Sequence, residues 1–187
     1  KEIYMSFYEY ALKHSVNYKF EHMEEKLNLW FDPVQLQKVI FNLLSNAFKY
    51  TKAKGSITVS IRKIKNEVEI RVEDDGVGIS KESIHKIFDR FYQVDGQSSE
   101  FTLGTGIGLA VSKGIVELHK GNIRVESEVG QGSVFIVTLL TGNEHFPKEV
   151  LSDSESNFHL IKDGVLEDLA LEELMLEEPA KEQELTN

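Results

Sequence analysis

The chain has 187 residues, 41% of them apolar and 28% charged, with no cysteine. That is the balance of one globular domain plus an appendage; disulfides, thiolate metal sites and a cysteine nucleophile are excluded, and no apolar run nears the roughly 20 residues that cross a bilayer. The net charge of −10 is uneven, since residues 1–141 hold 18 basic and 18 acidic side chains whereas residues 142–187 hold 3 and 13. A neutral body with an acidic tail has no general attraction for nucleic acid or anionic lipid, so any bound phosphate must be captured locally.

In chain order, residues 2–13 place Ile3, Phe7, Tyr8, Ala11 and Leu12 at helical spacing and predict a short amphipathic helix. Alternation over 16–20 and 27–31 predicts two strands. Asp32-Pro33 then offers a helix cap with proline at the first helical position. The helix behind it runs to about Tyr50, with Leu36, Val39, Ile40, Leu43, Leu44 and Ala47 on one face. Gly55 breaks to a strand over 57–64, Lys65-Asn66 turns the chain, and 68–72 returns as the hairpin partner. A short helix is predicted over 83–92, ending in an aromatic cluster. From Gln93 to Thr105 the chain is polar, glycine-containing and aperiodic, the mark of a mobile loop. A second long amphipathic helix spans 106–119, and 122–127 with 133–140 form a final hairpin around Gly130-Gln131-Gly132. This order predicts a two-layer α/β sandwich, helices on one face of a mixed sheet. Beyond Gly142 the pattern weakens into an acidic, Leu-rich segment that reads as a linker.

Four local patterns carry chemistry. Asn42, Asn46 and Lys49 stand four and three residues apart and so share a helix face. Two amides and an ammonium there can hold Mg²⁺ and the phosphates it bridges, because Mg²⁺ favours oxygen ligands and keeps several waters; a plain solvated face is the alternative. Asp74-Asp75-Gly76-Val77-Gly78-Ile79 follows a strand, which delivers a carboxylate to the sheet edge while the glycines let backbone approach a flat ligand. That carboxylate can accept a hydrogen bond from the exocyclic amine of adenine, where guanine offers only a carbonyl; alone, the pattern is also that of an acidic turn. Gly104-Thr105-Gly106-Ile107-Gly108-Leu109 leads into a helix N-terminus, where free amides and the dipole favour anions. It lacks the preceding strand of a dinucleotide fold and the Gly-Lys-Ser/Thr of a P-loop. Finally, Ile87-Phe88-Asp89-Arg90-Phe91-Tyr92-Gln93 gathers aromatics beside the loop, with Phe88 and Phe91 as the expected anchors of a hydrophobic latch.

In this order the four patterns resemble the N, G1, F and G2 boxes of the sensor histidine kinases of two-component systems, within the superfamily that includes gyrase, Hsp90 and MutL. The likeness covers about 15–141, and 121–123 and 127–135 resemble the family's last hairpin. It implies the Bergerat (histidine kinase ATPase) fold, with ATP between the long helix and the loop. It implies Asn42, Asn46 and Lys49 as the catalytic set, with Asn46 as the Mg²⁺ ligand and Tyr50 beside the nucleotide. Asp74 would recognise adenine, with Gly76 and Gly78 bordering the base. Gly104, Gly106 and Gly108 would meet the phosphates, with Ile79, Phe88, Phe91, Thr105 and Leu109 completing the nucleotide site. Residues 93–105 would form an ATP lid. One departure is Asp75, where the family usually has Asn; its charge is expected to point away from the site.

Hydrolytic relatives resemble this chain except for a water-activating Glu where Asn42 stands. A neutral amide is no general base, so the resemblance implies phosphoryl transfer by positioning rather than hydrolysis. None of His14, His22, His85, His119, His145 and His159 has the context of the family's phosphorylated histidine. His119 ends a helix, where a positive ring would suit the dipole. Residues 1–14 resemble the end of a dimerisation helix or a linker, 15–141 the ATP-binding domain, and 142–187 an acidic connector of the kind seen in hybrid kinases. The partners implied are the dimerisation and histidine phosphotransfer domain of the same parent kinase and a response regulator or fused receiver domain. The isolated fragment is expected to be a monomer in the cytoplasm, its parent anchored in a membrane. A nucleotide-sensing module without transferase activity and a serine kinase of the same superfamily are the alternatives.

Overall fold

The computed structural model describes residues 2–22, 29–94 and 105–151. A five-stranded sheet is ordered β1-β2-β3-β5-β4, from β1 (Asn17–His22), β2 (Ser56–Ile64), β3 (Glu67–Asp74), β4 (Asn122–Glu128) and β5 (Gly132–Leu140). β1 lies parallel to β2 and the other pairings are antiparallel, so the sheet is mixed.

Side chains alternate along each strand. One face carries Ile57, Val59, Ile70, Val72, Ile123, Phe135, Val137 and Leu139 into the core. Against it lie α1 (Glu2–Lys13), α2 (Pro33–Tyr50) and α4 (Gly108–Leu118). α2 supplies Val39, Leu43, Leu44, Ala47 and Phe48. On the other face Ser60, Arg71, Ile136 and Arg124 align in one row of the register. Buried Glu69 there accepts from Arg124 at 2.9 Å and lies 3.5 Å from Arg71. This charged lid over Ile136 was invisible in the strand alternation, which assigns outward positions to solvent.

α1 packs into the same core. Phe7 stacks on Phe48 at 5.3 Å and touches Phe41 at 5.2 Å, and Ala11 is buried. Tyr8 and Leu12, expected on the apolar face, are exposed. Of the strand expected over 27–31, the described part makes only a single bridge, Leu29 to Gly142, before the chain turns into the cap of α2. The helix expected over 83–92 is shorter, α3 (Lys81–Ile84). Beyond it the chain runs in tight turns that bury Ile87 and end at Phe91 with φ +64°, which no right-handed helix accepts. α4 likewise begins two residues later than expected, because Gly106 has φ +65°.

Candidate nucleotide site

α2 starts where Asp32 accepts the amides of Val34 and Gln35 at 2.9 and 3.0 Å, with Pro33 needing no partner of its own. Along its half-buried polar stripe, Asn42 donates to the Gly108 carbonyl and to Ser112 Oγ, both at 3.1 Å. The middle of α2 is thereby joined to the first turn of α4. At the far end of α2 the Tyr50 carbonyl accepts the amide of Val77 at 3.3 Å. Asn46 and Lys49 thus lie on the stretch of helix between the two junctions, Lys49 Nζ 5.8 Å from the Tyr50 ring centre.

Asp74, at the end of β3, is only 6% exposed. Burial pushes its carboxyl up from 3.8 to about 6, against the backbone hydrogen bonds of Gly76 and Ser133, with the charges of Asp75 and Glu73 adding to the rise. Asp75 Oδ1 accepts the Ser56 amide at 2.8 Å and caps the start of β2.

The glycines of this loop have a reason that their spacing does not reveal. A Cβ at Gly76 would strike the Tyr50 carbonyl, and one at Gly78, where φ is +69°, would overlap the Glu128 carbonyl. The loop is pressed against α2 and the β4–β5 hairpin, with Gly130 N–H donating to the Val77 carbonyl at 2.8 Å. Sequence reasoning missed the hub of this packing. Ser127 Oγ accepts from Ile79 N–H at 2.8 Å, donates to the Gly132 carbonyl at 2.7 Å and lies 3.0 Å from Ser133 Oγ. The Ser127 proton is committed to a carbonyl, so Ser133 donates to Ser127. A serine inside an alternating strand reads as surface, and only its place in the last-hairpin resemblance marked the segment.

Gly104 lies outside the described residues, as does most of the 93–105 loop. Thr105 is exposed, and Gly106, Gly108 and Leu109 are half-buried. Phe91 N–H donates to the Gly106 carbonyl at 2.8 Å, so the two flanks of that loop meet. Ile107, at the start of α4, offers no side-chain cap to the helix amides. Phe88 and Ile79 pack on the core. Phe91, expected to anchor with Phe88, is 72% exposed instead. Its left-handed backbone turns the ring outward, and Tyr92 takes the inner place with its hydroxyl on Ser83 Oγ at 3.1 Å.

His119 also departs from expectation. Its Nδ1 lies 2.8 Å from the Ile115 carbonyl and its Nε2 accepts the Asp32 amide at 2.9 Å. A carbonyl only accepts and an N–H only donates, so the ring is neutral with its proton on Nδ1. It is not the positive cap that the helix end suggested.

A long polar-striped helix joined at one end to a carboxylate loop and at its middle to a glycine-led helix, all on one face of a mixed sheet, defines an ATPase-type nucleotide-binding domain. The chain belongs to the histidine kinase-, DNA gyrase B- and HSP90-like ATPase family, whose model matches residues 31–143. It is 41% identical to Histidine kinase P4 of Formosa agariphila over 82% of this chain and 12% of that protein. It is 39% identical to the sensor protein kinase WalK of Staphylococcus aureus over 67% of this chain and 29% of that protein. The chain therefore spans less than a third of these relatives. Among solved structures, the nucleotide-free catalytic domain of histidine kinase ThkA superposes with a TM-score of 0.65 at 29% identity, covering 74% of this chain and 89% of that domain. ThkA in complex with the response regulator protein TrrA aligns with the same score and identity, over 78% of this chain and 40% of that one. The fold is that of a histidine kinase catalytic domain.

Proposed function

We propose that this domain binds Mg-ATP and donates the γ-phosphate to a histidine on a separate dimerisation domain of the same parent kinase. The observation that carries the proposal is the course of α2. One rigid helix meets the Asp74 loop through the Tyr50 carbonyl and the glycine-led α4 through Asn42, with Asn46 and Lys49 between.

The residues fit the ligand. Asp74 is a buried acceptor suited to the exocyclic amine of adenine, and Ile79 and the Gly76–Gly78 backbone would border the base. The uncapped amides of α4 suit phosphate oxygens. No group of three or more His, Cys, Asp or Glu side chains that could hold a metal ion occurs among the described residues. The Asn46 amide oxygen would therefore share Mg²⁺ with phosphates and waters, a donor set that suits this ion. When bound, Mg²⁺ neutralises charge on the phosphates. Lys49 does the same from the helix, Asp74 orients the base, and Asn42, already committed to Gly108 and Ser112, fixes α4 rather than activating water. This division of labour favours transfer over hydrolysis.

The parent would then pass the phosphoryl group to a response regulator or a fused receiver domain. ThkA, a kinase of similar fold, is seen with such a regulator. No helix among the described residues is long and apolar enough to cross a membrane, and a cytoplasmic position for this domain is part of the proposal. The test mixes the chain with a separately made dimerisation domain and labelled ATP. Acid-labile label on that domain's histidine is expected. Acid-stable label would point to a serine kinase, and nucleotide binding without any label to a sensing module.

A further inference from the structure

His119 closes a second junction between α2 and α4. Asp32, the cap residue of α2, commits its carboxylate to Val34 and Gln35 and its own N–H to His119 Nε2. The other ring nitrogen is engaged within α4, on the Ile115 carbonyl. Ten residues further along α2, Asn42 holds Gly108 and Ser112 at the opposite end of α4. At 1.5 Å per residue, Asp32 and Asn42 lie about 15 Å apart on α2, and His119 lies about 10 Å from Ser112 and about 16 Å from Gly108 on α4. Two antiparallel helices are thus clasped at two points, at the start and the middle of α2 and at the two ends of α4. Asn46 and Lys49 sit between the Asn42 junction and the contact of Tyr50 with Val77, so their aim depends on the angle at which α2 is set against α4.

We propose that His119, as the neutral ring with its proton on Nδ1, is a positioning residue. It fixes the angle of α2 against α4 and thereby aims Asn46 and Lys49 at the phosphates leaving the N-terminus of α4. The role rests on the nucleotide reading above. It is graded rather than uniform, because the base end of the site meets α2 at the Tyr50 carbonyl alone and otherwise stands on β3 and the β4–β5 hairpin, neither of which hydrogen-bonds to His119. A misplaced α2 therefore costs contacts to the triphosphate more than those to the base.

Three substitutions separate the two bonds of the ring. His119→Gln keeps an oxygen acceptor where Nε2 stood. His119→Asn keeps a donor near Ile115 and cannot reach Asp32, and His119→Phe keeps neither. The full chain and each variant are titrated with ATP plus Mg²⁺ and, separately, with adenosine. The Gln variant is expected within about threefold of the parent chain for ATP, and Asn and Phe are expected to lose about tenfold, the upper end for one hydrogen bond lost from a positioning contact. The Asn and Phe variants are expected to lose less for adenosine than for ATP. Unchanged ATP affinity in the Asn and Phe variants overturns the role, as does an equal loss for ATP and adenosine, which is the mark of general unfolding. Should the Phe variant not fold, the ¹⁵N shifts of the His119 ring in the parent chain decide: a protonated Nε2 refutes the clasp. A parent chain that bound neither ligand would instead overturn the nucleotide reading, and this role with it.

Discussion

Ser127 Oγ accepts the backbone N–H of Ile79 at 2.8 Å while giving its proton to the Gly132 carbonyl at 2.7 Å. One oxygen thus ties the loop after Asp74 to the hairpin that supports it. Ser127→Ala strands a part-buried N–H and a carbonyl, at a cost of about 1–3 kcal/mol. A lower melting temperature is expected, with adenosine and ATP affinities falling together because the base end of the site loosens. This is the opposite signature to that of the His119 variants. Equal adenosine affinity in the alanine variant would show that the loop holds itself.

Two glycines with left-handed backbone should respond differently to the same change. Gly130 has φ +80° and open space where a Cβ would stand, with nothing within 4 Å, so Gly130→Ala costs only the strained conformation, about 1–2 kcal/mol. Gly78 has φ +69° and its added Cβ would overlap the Glu128 carbonyl, so strand β4 must move as well. Gly78→Ala is expected to be clearly the worse of the two, on the order of 3 kcal/mol or more, or to leave little folded protein. Urea denaturation of the pair measures the difference; equal midpoints would mean that the hairpin yields freely.

The elements with strong periodicity were legible in the sequence. The Asp32-Pro33 start, the apolar stripe of α2 and the final hairpin lie where the pattern puts them, because burial of one helix face or one sheet face is written directly into residue spacing. What was not legible depends on distant partners. Phe91 turns outward only because its backbone is left-handed and hydrogen-bonded to Gly106. The neutral state of His119 requires the amide of a residue 87 positions away. Buried Glu69 requires two arginines, one from its own strand and one from β4. In the site, residue types were legible and roles were less so. Gly76 and Gly78 read as room for a ligand, yet their nearest constraint is the protein's own backbone.

Asp75 presents a simpler case. The backbone it caps needs an oxygen acceptor, supplied by Oδ1 to the Ser56 amide at 2.8 Å, and not a charge. Asp75→Asn keeps that acceptor and is expected to change stability by less than about 0.5 kcal/mol, whereas Asp75→Ala removes it and costs about 1 kcal/mol. Denaturation midpoints check both, and ATP affinity should stay the same in the Asn variant, since the carboxylate faces β2. A marked gain in ATP affinity on neutralising it would show that its charge reaches the phosphates.

Under the proposed function, the carboxyl of Asp74 sets stability against binding. Its folded pKa, raised by burial to about 6, lies above the ordinary 3.8. Between those values the folded chain holds a proton that the unfolded chain has released. The resulting stabilisation is complete below pH 3.8 and is lost as pH rises through 6. A shift of this size corresponds to about 2–3 kcal/mol. At neutral pH the ionised group burdens the fold, and Asp74→Asn, which never ionises, removes that burden. The Asn variant is therefore expected to be more stable than the parent chain at pH 7.5, with the gap closing towards pH 4, as measured by urea denaturation of both at each pH. Binding should run the other way. Only the ionised form gives adenine a charge-assisted acceptor, so adenosine and ATP affinity of the parent chain should fall as pH drops through about 6. The Asn variant should bind weakly at every pH, its amide offering a donor where the base also donates. A stability gap that does not change with pH would show that this carboxyl titrates normally, and undiminished affinity in the variant would remove Asp74 from the base site.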